Sequence, residues 1–158
     1  MKLDDRDLKI LSVLQSEGRI TKTELARRVN LSPTPCWERL KKLEDGGVIE
    51  GYGARISAKI LEPHCLFFMQ AEITSHQARD FERFERAVKN IPQVIECWAV
   101  GGGIDYILKF ACKDVEAYQN LVDGLLQADT GLKRYYTYVV TKPVKGSTGL
   151  PLALLCGQ

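Results

Sequence analysis

The sequence predicts an α+β protein: an N-terminal winged helix-turn-helix followed by a C-terminal ferredoxin-like βαββαβ unit. Three observations predict it. Residues 1–50 carry three short helical periodicities with caps, the second and third joined by a tight turn at Asn30-Leu31. Residues 48–56 then read as a short hairpin or wing. Residues 65–140 alternate strand-like and helix-like segments in the order β-α-β-β-α-β. At 158 residues the chain is one large domain or two small ones. The pattern favours two: residues 1–60 with a hinge across 51–63, residues 61–145, and a tail over 146–158.

The first helix is expected over residues 5–16. Asp4 caps it, Asp7 sits in the dipole-favoured first turn, and Leu8, Leu11 and Leu14 form its apolar stripe. Gly18 is expected to end it in the left-handed conformation. The second helix opens on Thr21-Lys22-Thr23-Glu24, a capping box in which Thr21 accepts from the Glu24 N–H and Glu24 reaches back. Its inward residues are Leu25, Ala26 and Val29.

The third helix starts at Ser32-Pro33-Thr34-Pro35, with Ser32 as N-cap and Pro33 at the first position, where a missing N–H does no harm. Pro35 also lacks an N–H, so the Ser32 oxygen should take that of Thr34. At 100° per residue, Cys36, Leu40 and Leu43 cluster inward with Trp37 flanking. Thr34, Pro35, Glu38, Lys41 and Lys42 lie opposite, with Arg39 at the border. Gly46-Gly47 stops the helix.

Net charge is only +2, which by itself predicts no strong attraction to nucleic acid. Its distribution says otherwise. Residues 19–42 hold Arg19, Lys22, Arg27, Arg28, Arg39, Lys41 and Lys42 against Glu24 and Glu38, a net of +5. Residues 61–158 hold 10 bases against 11 acids, a net of −1. The basic segment falls on the two helices that would face DNA; the alternative is a solvated basic face.

In the second half, strands are expected over 65–73, 94–100, 106–112 and 132–140, and helices over 78–90 and after the Asp114 cap. Phe81, Phe84 and Val88 point inward from the first of these helices, with Glu82–Arg86 and Glu85–Lys89 pairs outside. Tyr118, Leu121, Val122 and Leu125 do so from the second. Two helices cover one face of such a sheet. The other face needs a partner, and a second copy of the chain is the economical one.

Composition is that of an ordinary globular protein, 45% hydrophobic and 27% charged. No apolar run is long enough to cross a bilayer, and the acidic N-terminus lacks a signal-peptide stretch, so a cytoplasmic setting is expected. The five cysteines, 36, 65, 97, 112 and 156, form no metal-ligand spacing, and no cofactor is expected. Cys97 and Cys112 read as small core residues. Cys36 invites a thiol-sensing idea, but its inward angle favours packing. The tail over 150–156 is expected to pack on the body or a partner, or to fray.

This architecture resembles the Lrp/AsnC (feast/famine) family of prokaryotic transcription regulators. The resemblance rests on Leu3-Asp4-x-x-Asp7-x-x-Ile10-Leu11, Leu25-Ala26 with Val29-Asn30-Leu31-Ser32, Arg39-Leu40-Lys41-Lys42-Leu43-Glu44 with Gly47-Val48-Ile49, and Gly102-x-x-Asp105-Tyr106. It implies that the third helix enters the major groove of double-stranded DNA with Thr34, Pro35, Glu38, Arg39 and Lys42 as contacts, Ser32 capping. Glu38 could accept from cytosine or merely pair with Lys42. Lys22, Arg27, Arg28 and Lys41 belong to the same basic face, where phosphates would be held. It also implies that the C-terminal (RAM-type) unit forms a homodimer, assembles to a tetramer or octamer, and binds an amino-acid effector between dimers.

The implied effector site is the turn of Gly102, Gly103, Ile104 and Asp105, with Thr137 on the last strand. Small residues admit a ligand to backbone N–H groups, and an acid can hold an ammonium. By themselves, Gly101 to Gly103 read more readily as a permissive hairpin turn. Gly103 and Ile104 depart from the polar and aromatic residues common there, which leaves effector identity open. The competing reading is an enzyme of the siroheme-decarboxylase type, which shares this architecture. Such chemistry wants titratable groups converging on a cleft, and the chain offers only His64 and His76, both near loops.

Overall fold

The structure, a computed structural model, describes residues 2–57, 63–146 and 149–155. The chain divides into two compact units, Met1–Ile56 with Lys145–Gln158, and Ser57–Val144. Part of the expected hinge, residues 58–62, and Cys156 lie outside the described residues. No helix among the described residues is long and apolar enough to cross a membrane.

In the first unit, α1 (Asp5–Ser16), α2 (Lys22–Arg28) and α3 (Pro33–Asp45) pack around Ile10, Leu25, Cys36 and Leu43, all nearly inaccessible. Ile10 takes the centre of the α1 stripe, while Leu8 and Leu14 are only half-buried. The full capping box forms at α1 rather than at α2. Asp4 Oδ1 accepts from the Arg6 and Asp7 N–H groups, both at 2.9 Å, and Asp7 Oδ2 accepts from the Asp4 N–H at 3.1 Å. At α2 only half of the expected box exists: Thr21 Oγ1 accepts from the Glu24 N–H at 3.2 Å. The Glu24 carboxylate is drawn away by two guanidinium groups.

Three further expectations are corrected here. Gly18 is not left-handed; α1 closes at Glu17, whose N–H donates to the Val13 carbonyl. The Ser32 side chain makes no capping bond, since prolines at the first and third positions leave the first turn few donors to satisfy. The hairpin expected over 48–56 contains no paired strand. Instead the Val48 and Ile49 N–H groups both return to the Leu43 carbonyl, at 3.0 and 3.3 Å, and Tyr52 donates to Glu44 at 2.7 Å. Gly51 and Gly53 interrupt any apolar alternation that could fix a register. The α2–α3 turn is set by Asn30 at φ 55°, a left-handed position that Asn tolerates.

The tail joins this unit. Gln15 and Leu150 exchange two amide hydrogen bonds, Leu150 N–H to Oε1 at 2.6 Å and Nε2–H to the Leu150 carbonyl at 3.2 Å. Leu152, at the start of the single turn α6 (Leu152–Leu155), packs on the three-helix core.

In the second unit, β1 (Cys65–Ile73), β2 (Val94–Ala99), β3 (Tyr106–Cys112) and β4 (Leu132–Val139) form an antiparallel sheet ordered β2-β3-β1-β4, the ferredoxin-like arrangement. Helices α4 (Ala78–Lys89) and α5 (Val115–Gln127) cover one face. There Phe67, Met69, Leu108 and Phe110 meet Phe84 and Val122, all fully buried. Each such side chain stabilises by about 1.5–3 kcal/mol relative to exposure.

The opposite face carries Phe68, Gln70, Trp98, Ile107, Tyr136 and Tyr138, the register partners between the core residues. Trp98, Tyr136 and Tyr138 are about half exposed. Cys112 is buried as expected, but Cys97 is exposed because β2 is an edge strand. The Glu82–Arg86 and Glu85–Lys89 pairs do not form; Glu85 accepts from the Tyr106 hydroxyl at 2.8 Å instead.

Gly149, at φ 85°, tests how the tail is seated. A Cβ there would strike the Gln15 amide, and the backbone conformation itself disfavours any other residue. Gly149→Ala is expected to cost about 1 kcal/mol and to accelerate hydrogen exchange at the Leu150 N–H. Unchanged exchange there would show that the Gln15 clasp does not depend on this glycine.

Candidate nucleic-acid interface and effector loop

The outward face of α3 matches its wheel. Ser32, Thr34, Pro35, Glu38, Lys41 and Lys42 are exposed, and Cys36, Leu40 and Leu43 are buried. Burial pushes the Cys36 thiol up, away from reactive thiolate, consistent with packing. No ion pair joins Glu38 to Lys42 among the described residues, so the carboxylate stays available on the outer face. Arg19, Lys22, Lys41 and Lys42 also have no carboxylate within ion-pair distance among the described residues.

The three arginines behave differently. Glu24 grips Arg27 at 2.7 Å and Arg28 at 3.0 Å, and Arg28 also reaches Glu17 at 2.8 Å. Arg39 donates from one nitrogen to Asp4 Oδ2 and to Asp7 Oδ1, both at 2.7 Å. It therefore stands between α1 and α3 rather than on the outward face. The capping N–H of Asp7, and then Arg39, hold the Asp4 carboxyl below its usual range. Asp7 and Arg39 are 32 positions apart, and nothing local in the sequence links them.

Trp37, expected to flank the inward cluster of α3, stands at the surface. Its ring is 42% exposed, with Lys22 Nζ 4.7 Å and Lys41 Nζ 5.6 Å from its centroid.

In the second unit, the loop from Gly101 to Asp105 links β2 to β3. Gly102 has φ 142°, a conformation that side chains rarely adopt, while Gly103 is exposed and Ile104 half-buried. Asp105 is a latch. Its N–H donates to the Ala71 carbonyl at 3.0 Å, and its Oδ2 accepts the Ile73 N–H at 2.8 Å. Its remaining oxygen, Oδ1, lies 3.2 Å from Nε2 of the exposed His76. Thr137 does not join this loop. It stands on β4, across β1 from β3, with its hydroxyl 2.7 Å from that of Tyr118. No group of three potential metal ligands exists among the described residues.

A basic, outward-facing helix on a three-helix unit, joined to a separate ferredoxin-like unit, is the arrangement of a DNA-binding transcription regulator. Comparison with known proteins supports this. Residues 3–50 match a winged helix-turn-helix DNA-binding model and residues 66–150 the Lrp/AsnC ligand binding domain. The chain is 52% identical over 145 residues to the transcriptional regulatory protein DoeX of Halomonas elongata, covering 92% of each. It is 40% identical over 148 residues to the leucine-responsive regulatory protein of Escherichia coli K12, covering 94% of this chain and 90% of that one. A Neisseria meningitidis transcriptional regulator solved with L-Met superposes with a TM-score of 0.88 at 37% identity, covering 97% and 99% of the two chains. An AsnC family regulator from Agrobacterium tumefaciens gives 0.89 at 29%, with the same coverage. The protein belongs to the Lrp/AsnC family of DNA-binding transcriptional regulators.

Two outcomes test this geometry. Arg39→Ala strips the nearly buried Asp7 carboxylate of its partner and is expected to lower stability by about 1–3 kcal/mol. A cycle with Asp7→Asn, read by urea unfolding, should show strong coupling, and simple additivity would contradict the clasp. Glu24 is half-buried, and its carboxylate is held down to about 2, by Arg27 first and Arg28 next, from an ordinary 4.5. A lowered folded value means stability present above about pH 4.5 and lost as pH falls toward about 2. The stability advantage of the protein over its Glu24→Gln variant should shrink across that window and flatten in high salt. A difference independent of pH would contradict the pairing.

Proposed function

We propose that this regulator reads double-stranded DNA with the outward face of α3 and that a small amino acid sets its assembly and DNA affinity. Thr34, Pro35, Glu38 and Lys42 face base edges, with Ser32 at the helix start. Lys22, Arg27, Arg28 and Lys41 hold phosphates, which position without specifying. Arg39 contributes by fixing α3 against α1. The half-exposed sheet face of Phe68, Trp98, Tyr136 and Tyr138 pairs two copies into a homodimer, and dimers assemble further, to a tetramer or octamer. The protein works in the cytoplasm, where its DNA lies. Its relatives are named as regulators, which favours this reading over a siroheme-decarboxylase type.

The single observation that carries effector sensing is Asp105. One carboxylate oxygen is immobilised on the Ile73 N–H, and the other lies beside an exposed imidazole and a glycine turn. Such an oxygen suits an ammonium, with Gly102, Gly103 and Ile104 leaving room beside it. The L-Met complex of the Neisseria relative and the leucine-responsive name of the Escherichia relative support an amino acid as the ligand class. Thr137 would contribute only after leaving the Tyr118 hydroxyl.

The test is titration calorimetry with L-methionine and L-leucine on the protein and on Asp105→Asn. Asparagine keeps an acceptor for the Ile73 N–H and removes only the charge, which Asp105→Ala would not do. Binding is expected to weaken about tenfold or more, the size of a lost charge-assisted bond. Equal affinity in the two proteins would reject the role of Asp105.

A further inference from the structure

We infer that Trp37 is a positioning residue for DNA binding: its indole gathers the Lys22 and Lys41 ammonium groups into one preformed phosphate-holding pair. The inference rests on the reading of α3 as the DNA-facing helix. A tryptophan on the solvent side of a helix is unusual, because burying so large a ring is ordinarily favourable. Here the ring stays 42% exposed, while the inward positions of α3 go to Cys36, Leu40 and Leu43.

What the ring touches explains the placement. Lys22 comes from the first turn of α2 and Lys41 from α3 itself, one turn beyond Trp37. Both ammonium groups lie within cation–π range of one centroid, at 4.7 and 5.6 Å. The two charges are therefore no more than about 10 Å apart, a span that covers two or three successive phosphates at about 3.4 Å of axis per strand charge. Neither lysine has a carboxylate partner among the described residues. The negative face of the indole offsets their mutual repulsion and limits their rotamers before DNA arrives. Ordering them in advance removes an entropic penalty from binding. The arrangement also ties α2 to α3 on the outer surface, where the apolar core does not reach.

The experiment is fluorescence anisotropy of a labelled random-sequence duplex across a salt series, with the full-length protein, Trp37→Phe, Trp37→Leu, and Lys22→Ala in both the native and Trp37→Leu backgrounds. Thermal unfolding of each variant checks that the exposed site leaves folding intact. Phenylalanine keeps a π face and should bind as the native protein does. Leucine keeps apolar bulk without that face and should bind about two- to fivefold more weakly. Lys22→Ala should lower the salt slope by about 0.9, with a smaller loss of affinity when Trp37 is already leucine. Equal binding by the phenylalanine and leucine variants, with the native steep salt dependence, would overturn the role of Trp37 and leave the DNA-facing reading of α3 standing. Absence of salt-dependent binding by the native protein would overturn both.

Discussion

The first unit depends on a clasp of three charges. Asp4 and Asp7 close the first turn of α1 on each other and then hold Arg39 of α3, each at 2.7 Å. A three-helix unit of this size has a small core, and α3 leaves one whole face exposed. Packing through Cys36, Leu40 and Leu43 secures the inner face of α3 but leaves its rotation and tilt loosely defined. A part-buried, charge-assisted pair bonded at both ends fixes these, because its geometry is directional where apolar packing is not. In the proposed function, the arginine that looks most like a base reader acts one step removed, by holding the helix that would read.

The second unit follows a different constraint. Its sheet has one face filled by Phe67, Met69, Leu108, Phe110, Phe84 and Val122, and another left aromatic and half exposed. The Asp105 latch sits where β1 and β3 separate. One carboxylate there serves the fold through the Ile73 N–H and leaves a second oxygen at the surface. If Asp105 takes the effector as proposed, its rotamer is set before any ligand arrives, which makes it a stiff binding point.

Local patterns were legible in the sequence. The strands over 65–73 and 106–112 fall where alternation places them, and the Asp114 cap forms at 2.7 Å to the Ala117 N–H. The inward residues of α3, α4 and α5 follow helical spacing. What escaped was set by distant partners. The α2 capping box stays half formed because Glu24 has two arginines within a turn of it, whereas Asp4 and Asp7 complete theirs at α1. Glu85 turned to Tyr106 on the sheet rather than to Lys89. Cys97 lies within an apolar run, yet it is exposed because strand order puts β2 at an edge. Arg39, Trp37 and the second role of Asp105 depend on contacts across 15 to 35 positions, which no periodicity encodes.

In the proposed function, sensing and reading are coupled by linkage: the amino acid would favour one assembly, and with it one spacing of α3 helices, over another. Reciprocity is the sharpest consequence of that account, because a true coupling must act equally in both directions. The measurement is DNA affinity by anisotropy, with and without saturating L-methionine or L-leucine, paired with calorimetric affinity for the same amino acid, with and without saturating DNA. The account predicts that each ligand changes the other's affinity by one common factor, on the order of 5 to 150. An amino acid that binds while leaving DNA affinity unchanged would contradict it.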